Sequence, residues 1–301
     1  MRKNRIKIII VVLVSVISVG CTNGGKSMFT KDNQVRFDTL IVDEKHHLHN
    51  DASNPSCELN IQLIFPKESS KTDLKKLQQL FVRGTLGRMY EDLTPKEALD
   101  EYLKNFINNY EADARIFHEE MIELENHPTL IPQTLDEEHE NELQSNIFYT
   151  YHESLSNNIH FNESDILSFQ VNQTNNKGGA ATYSSYNNFV INLRTGNLLT
   201  ESDIFAPGYD LALQHLFANS LMLQNDVNSI SDLEDLGYFG IQEIMPNRNF
   251  LINDQGITYT FNKGEYSAYQ LNAPEVFIPF NDLRMLLKPN TIVSKIADSK
   301  N

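Results

Sequence analysis

Two His-Glu pairs in this chain begin the pattern of a zinc protease. His118-Glu119 and His152-Glu153 would each need a second histidine four positions after the first, because that spacing puts both imidazoles on one face of a helix. Ile122 and Ser156 occupy those positions. Neither residue can replace a histidine as a zinc ligand, so the sequence does not predict a metalloprotease site.

A second group of imidazoles, His46, His47 and His49, lies close to Asp51. Histidine nitrogens and carboxylate oxygens are donors that zinc accepts. The residues that follow, 50–55 (NDASNP), have the composition of a loop. We therefore favour a solvated turn over a metal site and predict no metal and no cofactor.

Paired carboxylates are the remaining candidates for acid–base chemistry. Glu201 with Asp203, and Asp254 with Glu275, are such pairs in the sequence, but helix caps and turns explain three of the four. The chain contains neither a Gly-x-Ser-x-Gly elbow nor a glycine-rich phosphate loop. We predict that the protein is not an enzyme, and a cell-wall glycan-modifying enzyme is the alternative.

The best sequence candidates for ligand contact are Tyr266 and Tyr269, with Glu265 beside them, in a loop after a glycine. Tyrosine combines an apolar ring with a polar tip, which suits stacking on a sugar or packing at a protein interface. The alternative is that both rings close the edge of a sheet.

The first twenty residues have the pattern of a secretory leader. A basic start, Arg2 to Lys7, precedes an apolar run over 8–19, which is shorter than the about 20 residues that span a bilayer. The run ends in SVGC, with a small residue before Cys21, although Ser18 stands where a branched aliphatic residue is commoner. We predict a signal peptide over 1–20 and lipidation of Cys21. The alternative is an ordinary signal peptide with an incidental cysteine.

Loss of that leader leaves 21 basic against 40 acidic residues, a net charge of −19. Such a charge disfavours nucleic acid and anionic membrane surfaces as partners and favours basic ones. Only Cys57 is then left as a free thiol, so no intramolecular disulfide forms, and we interpret Cys57 as a small buried hydrophobe. The acidic run 136–142 (DEEHENE) is either solvated or a docking patch for a basic partner.

Strands and helices must position these groups. Alternating apolar residues predict strands over 35–42, 57–65, 166–173 and 183–193, and a hairpin over 250–261 whose turn ends in Gly256. Thr72 and a Thr94–Glu97 capping box predict two helices, the second with an apolar stripe from Leu99 to Leu124. Further caps are expected at Thr200, Ser231 and Asn281. The order predicts an α+β fold of antiparallel sheets packed with helices, in two consecutive α+β subdomains.

Several turn motifs carry a family resemblance. Residues 264–269 (GEYSAY) and 275–280 (EVFIPF) resemble the C-terminal domain of the RsiV-type lysozyme-sensing anti-sigma factors. Upstream, 178–180 (GGA) and 195–200 (TGNLLT) resemble the domain that precedes the catalytic domain in PdaC-type peptidoglycan deacetylases. A histidine often follows Gly-Gly-Ala in that family, and Ala181 stands there instead. No stretch resembles the deacetylase's catalytic domain, so the resemblance does not imply deacetylation.

These observations give an expected organisation and role. We expect a signal peptide over 1–20, a lipidated tether over 21–34, a PdaC-like domain over 35–200, an RsiV-like domain over 201–290 and a tail over 291–301. We predict a non-catalytic lipoprotein of the bacterial cell envelope, held to a membrane through its lipid anchor, with its globular part outside the cytoplasm. Its expected ligand is peptidoglycan-related or a protein; the resemblance suggests a lysozyme-like basic protein, and a structural envelope partner is a further alternative.

Overall fold

The computed structural model describes residues 32–126, 149–178 and 182–299. Within these residues it contains a six-stranded and a three-stranded sheet, both packed with helices, which confirms the predicted α+β class. The strands are β1 (Arg36–His47), β2 (Ser56–Glu68), β3 (Tyr151–Glu163), β4 (Ile166–Lys177), β5 (Tyr183–Asn192), β6 (Asn197–Leu198), β7 (Phe250–Ile252), β8 (Gly256–Thr260) and β9 (Glu275–Pro279). The helices are α1 (Leu74–Leu86), α2 (Pro95–Asn126), α3 (Glu201–Ile204), α4 (Tyr209–Gln224), α5 (Ile230–Asp235), α6 (Phe280–Leu283) and α7 (Ile292–Asp298).

The large sheet has the order β1-β2-β3-β4-β5-β6 and departs from the prediction at one pair of strands. β2 and β3 run parallel, with Cys57 opposite Tyr151 and Gln62 opposite Ser156, whereas the other pairs are antiparallel. A parallel pair needs a long crossover, and α1 and α2 lie in that connection. The crossover therefore places α2 beside the strand that begins at Tyr151.

The large sheet is the middle layer of the molecule. On one face α1 packs through Phe81, whose ring stacks on Phe169 with 4.2 Å between centroids. On the other face Ile166 and Val190 join the core of the C-terminal part. The hydroxyl of Ser168 donates to the carbonyl oxygen of Ile252 at 2.7 Å and so joins β4 to β7.

The two long N-terminal helices begin at side-chain caps. Asp73, rather than the expected Thr72, caps α1 by accepting from the Lys76 amide at 2.8 Å. Thr72 instead donates to the Leu193 carbonyl at 2.5 Å. The predicted capping box before α2 is confirmed, since Glu97 accepts from the Thr94 amide at 3.1 Å.

The predicted apolar stripe of α2 is confirmed in its first half, where Leu99, Leu103 and Tyr110 are buried. From Arg115 to Glu123 the residues of the helix are half-buried or exposed. The second half of α2 thus extends past the core and leaves space on its flank. Among the described residues, no helix is both long enough and apolar enough to cross a bilayer.

Three details of the C-terminal part correct the predictions. Gly256 was expected to supply a positive φ, but it is extended, and glycine is needed there because a Cβ would lie 2.2 Å from the Ile278 carbonyl oxygen. Ser229, not Ser231, caps α5, and the box at Thr200 is confirmed. The N-cap expected at Asn281 is Pro279 instead, two residues earlier, and the helix ends at Leu283.

That early end has a physical cause. The chain after α6 turns to pair with the end of α3, where the Lys288 amide donates to the Ile204 carbonyl and the Ala206 amide donates to the Leu286 carbonyl, both at 2.8 Å. The expected tail over 291–301 is also corrected, because it contains α7. Val293 and Ile296 of that helix are buried in the C-terminal core. Cys21, the acidic run 136–142 and residues 179–181 lie outside the described residues.

Candidate functional site

The tyrosines predicted to contact a ligand have local structural partners. The Tyr266 ring packs edge-on against Phe261, with 5.3 Å between centroids. Tyr269 is 47% exposed, and its hydroxyl donates to the Thr182 carbonyl at 2.9 Å. Glu265 accepts from the Asn262 amide at 3.1 Å and so closes a turn. Ligand contact at these residues stays a prediction.

The histidine group predicted as a turn faces several different partners. His46 Nε2 lies 2.9 Å from Glu111, and His47 Nδ1 lies 2.9 Å from the Asn54 carbonyl oxygen. Asp51 accepts from the amide and hydroxyl of Ser53. In the part of the chain that the structure describes, no three His, Cys, Asp or Glu side chains are arranged to hold a metal ion.

Three of the four carboxylates considered for acid–base chemistry have the following places in the structure. Asp203 accepts from the Thr200 amide at 2.8 Å as part of the cap of α3. Glu201 is buried and accepts from the Arg248 amide at 3.0 Å and from the Tyr209 hydroxyl at 3.2 Å. Glu275 lies on β9 opposite Thr260. These contacts are those of capping and core-forming groups.

The strongest candidate site is a cleft of about 150 Å³ between α2 and the adjoining ends of β3 and β4. Four tyrosines and two carboxylates line it, and we call it the tyrosine cleft. These residues are Tyr90, Tyr102, Tyr110, Tyr151, Asp113 and Glu153. Asn105 and Lys177 add an amide and an ammonium group.

Two periodicities bring these side chains together. Tyr102, Phe106, Tyr110 and Asp113 are spaced by three or four residues, which places them on one face of α2. Tyr151 and Glu153 alternate with exposed residues on β3, so they point to the same side of the sheet. The parallel pairing of β2 with β3 then sets that strand against the helix.

At the base of the cleft a buried carboxylate meets a phenol. Glu153 is 8% exposed, and the Tyr102 hydroxyl donates to it. A buried carboxylate is costly unless it is hydrogen-bonded, and Tyr102 provides that bond. Burial, and then the charge of Glu153, raise the pKa of Tyr102 well above its usual value. Tyr102 therefore stays protonated and remains a donor.

A second phenol–carboxylate pair forms the rim. The Tyr151 hydroxyl donates to Asp113 at 3.3 Å, and burial together with that carboxylate raises the pKa of Tyr151 to about 12. Lys177 Nζ lies 5.7 Å from the centroid of the Tyr151 ring, within the range of a cation–π contact. The rim thus offers an aromatic face, an anion and a cation within one small opening.

Further hydrogen bonds fix the walls of the cleft. Asn105 donates to the Tyr90 hydroxyl at 3.1 Å, and the rings of Tyr90 and Tyr102 lie 5.5 Å apart. The Tyr110 hydroxyl donates to the Tyr149 carbonyl at 3.0 Å. Because these side chains are held before any ligand arrives, the cleft is preorganised for recognition.

Sequence reasoning missed this cleft, although the sequence contains a signal for it. Glu153 occupies an inward position between Tyr151 and Leu155 in an alternating strand. A carboxylate at a core-facing position needs a specific partner. That partner, Tyr102, lies far away along the chain, on a helix whose predicted apolar stripe did not include it.

Comparisons with known proteins identify a domain but not an activity. Residues 202–281 match the family described as "Protein of unknown function (DUF3298)". No curated protein matches the chain.

Solved structures extend the likeness over most of the chain. It is similar to a DUF3298 family member from Bacteroides fragilis, with 25% identity and a TM-score of 0.74, over 89% of this chain and 99% of that one. It also shares the fold of a DUF3298 family protein from Pseudomonas aeruginosa, with 14% identity and a TM-score of 0.55, over 86% and 97% of the two chains. The chain therefore contains a DUF3298 domain over residues 202–281 and is similar in structure to DUF3298 family proteins.

Proposed function

We propose that this protein is a non-catalytic, lipid-anchored protein of the bacterial cell envelope that binds a peptidoglycan-related glycan in the tyrosine cleft. The observation that carries this proposal is the convergence of Tyr102, Tyr151, Glu153 and Asp113 in one preorganised opening. Sugar rings present apolar C–H faces and a rim of hydroxyls. Tyrosine faces pack against the former, and carboxylates accept hydrogen bonds from the latter.

The size of the cleft limits what enters it. A volume of about 150 Å³ is below the range of pockets that enclose drug-sized ligands. It suits one ring or one side chain of a longer ligand, whose remainder lies along the surface. This geometry supports contact with a terminal or protruding unit of a glycan rather than enclosure of a whole oligosaccharide.

The proposed localisation in the cell envelope is supported by the sequence. The basic and apolar leader before Cys21 supports export and acylation. Several acyl chains on one cysteine give stable membrane anchoring. The motif resemblance to PdaC-type and RsiV-type domains supports a role at the cell wall. The matched family itself is of unknown function.

Binding is tested by calorimetric titration of the purified mature protein with N-acetylglucosamine tetramers and with soluble muropeptides. We expect Tyr151→Ala to weaken binding at least tenfold, because truncating a tyrosine at the centre of a binding site typically costs about 2 kcal/mol. Tyr183→Ala is the matched control, since Tyr183 is an exposed tyrosine that does not line the cleft. Equal effects of the two substitutions, or no saturable binding, would reject the cleft as the site.

One observation favours a second candidate function, a glycan-modifying enzyme: two carboxylates, Glu153 and Asp113, line the same cleft. Mass spectrometry of the same oligomers after incubation decides between the two functions. Turnover that disappears in Glu153→Gln would establish catalysis. Unchanged oligomers, together with weaker binding by Glu153→Gln, support recognition alone.

A basic protein ligand is distinguished in a separate titration with lysozyme. An arginine or lysine side chain would also meet aromatic faces and carboxylates in the cleft. Lysozyme binding that Tyr151→Ala abolishes, with no glycan binding, would replace the glycan by a basic protein in this proposal.

The anchor has its own test. Mass analysis of the mature N-terminus is expected to show an acylated cysteine at Cys21. The Cys21→Ser variant should move from the membrane fraction to the soluble fraction. A mature chain free of lipid would refute the anchor while leaving the cleft hypothesis intact.

A further inference from the structure

A second cavity, of about 650 Å³, lies on the opposite flank of α2 from the tyrosine cleft. The second half of α2 forms one wall, and the connection between β1 and β2 forms the other. We call it the cationic pocket and define it by Leu48, His49, Pro55, Arg115, Phe117 and His118. Its volume falls in the usual range of small-molecule sites.

The pocket combines apolar contacts with basic side chains. Leu48 is buried, and the Phe117 ring is half-buried beside Tyr149, with 6.2 Å between centroids. The side chains of His49, Arg115 and His118 are exposed, and within the described residues none of the three takes part in a side-chain hydrogen bond or an ion pair. Basic groups are therefore available above an apolar surface.

One carboxylate, Glu111, also lines the pocket, and it contacts a histidine side chain. Glu111 Oε1 lies 2.9 Å from His46 Nε2, on the strand beneath the helix. That contact engages Glu111 with an imidazole and leaves the guanidinium of Arg115 free for another anion. The pocket thus combines one guanidinium group and two imidazoles with a single carboxylate, in a chain whose formal net charge is −15.

Local backbone structure holds both walls in place. Arg115 and His118 are three residues apart on α2 and so share a face of the helix. On the other wall, His49 and Asn50 adopt left-handed backbone conformations, both with φ of 57°. The amide of Leu48 donates to the Pro55 carbonyl at 3.0 Å, and Asn54 Nδ2 donates to the Leu48 carbonyl at 3.1 Å. These hydrogen bonds join the two ends of the β1–β2 connection at the edge of the pocket.

We propose that the cationic pocket binds a small organic carboxylate that carries an apolar group. A guanidinium group offers two parallel N–H donors that match a carboxylate, which makes Arg115 the principal contact. His49 and His118 supply further donors at the rim. Leu48, Pro55 and Phe117 cover the apolar part of the ligand. This proposal does not depend on glycan binding in the tyrosine cleft.

The test is calorimetric titration of the full mature protein with 2-naphthoate, and with 2-naphthamide as the uncharged probe of the same shape. We expect saturable one-to-one binding of 2-naphthoate and at least tenfold weaker binding of 2-naphthamide. Arg115→Gln should weaken 2-naphthoate binding about tenfold, since a hydrogen bond to a charged group contributes that much. His118→Gln should weaken it by a smaller factor.

Two control variants separate this site from the rest of the molecule. Lys104→Gln removes the same charge from an exposed position on the same helix and should leave 2-naphthoate binding unchanged. Lys96→Gln, near the start of the same helix, should likewise leave it unchanged. No saturable binding, equal binding of both probes, or equal losses in Arg115→Gln and Lys104→Gln would each overturn the proposal.

Discussion

The tyrosine cleft and the cationic pocket flank the same helix but differ in whether their polar side chains are paired with one another. In the cleft the phenols and carboxylates bind one another, as in the pairs Tyr102–Glu153 and Tyr151–Asp113. In the pocket the basic groups of Arg115 and His118 are exposed and have no such partners among the described residues. The cleft is thus a narrow site of fixed geometry, whereas the pocket is a wide site whose selectivity depends on charge.

One buried residue separates the two sites. Tyr110 is 0% exposed and packs in a small core cluster with Leu48 and Cys57, next to Tyr151. Leu48 belongs to the pocket and Tyr151 to the cleft. The same side chain therefore supports a wall of each site, so a substitution at this position should affect both sites.

Tyr110→Ala has the largest expected effect. Removing a fully buried aromatic ring costs about 3–5 kcal/mol, because contacts are lost and a cavity remains. We expect that loss in the free energy of unfolding, measured by urea denaturation, with binding at both sites weakened. Tyr110→Phe keeps the ring and removes the hydroxyl that donates to the Tyr149 carbonyl, so it should cost about 1 kcal/mol. Equal losses for both variants would contradict this account.

Asp165→Asn should lower stability without altering either site, since Asp165 lies at the far end of the β3–β4 hairpin from Tyr151. Burial alone would raise the pKa of Asp165, but hydrogen bonds from Lys71 and Arg194 outweigh it and hold the pKa below its usual value. Replacing one partner of this cluster should cost about 2 kcal/mol at neutral pH.

The pH dependence of that loss has a definite sign. Because the pKa of Asp165 is lower in the folded protein, its contribution is present above the unfolded value of about 4 and is lost as the pH falls through the folded value. The difference in unfolding free energy between the wild type and Asp165→Asn should therefore shrink in acid. A constant difference between pH 7 and pH 3 would refute the linkage.

Alkaline titration sharpens the description of the cleft. The pKa of Tyr151 is raised to about 12, first by burial and then by Asp113. Its protonated form therefore contributes stability that is present below about pH 10 and is lost as the pH rises through about 12. Tyrosinate absorbance, compared between the wild type and Tyr151→Phe, measures this ionisation. Asp113→Asn should lower the pKa only part of the way, because burial persists.

Lys177→Met has the smallest expected effect. It removes the ammonium group near the Tyr151 ring while keeping an apolar stem. A cationic glucosamine oligomer should then bind about two- to fivefold more tightly, since a cation–π contact contributes about 0.5–1 kcal/mol and the competing charge is gone. The N-acetylated oligomer is the matched neutral ligand and should change less. Identical changes for both oligomers would show that Lys177 does not distinguish ligand charge.

Local sequence signals predicted the elements well. The Thr94–Glu97 box, the alternation along β8 and the cap at Thr200 depend on residues within a few positions of one another. These three predictions are confirmed, whereas the caps expected at Thr72 and Ser231 are formed by the nearby residues Asp73 and Ser229. The stop after Leu283 was missed because it results from pairing with α3, which is distant in sequence.

Both sites were missed for the same reason. Glu153 and Tyr102 meet only because β3 pairs in parallel with β2 after a long crossover. His49 was predicted in a turn, but its neighbours across the cavity, Arg115 and His118, come from a helix whose relative position no local pattern gives. Residue types indicated what each group could do, and the topology determined which groups came together.

The parallel pairing of β2 with β3 also has a consequence for synthesis. The residues of α2 are synthesised before Tyr151, so the aromatic face of that helix is exposed to solvent until β3 and β4 have been made. A nascent chain that stalls before Lys177 would carry this unfinished surface, and exposed apolar faces of partly folded chains are prone to aggregate. A chain with a finished α2 and no third strand is therefore expected to bind chaperones.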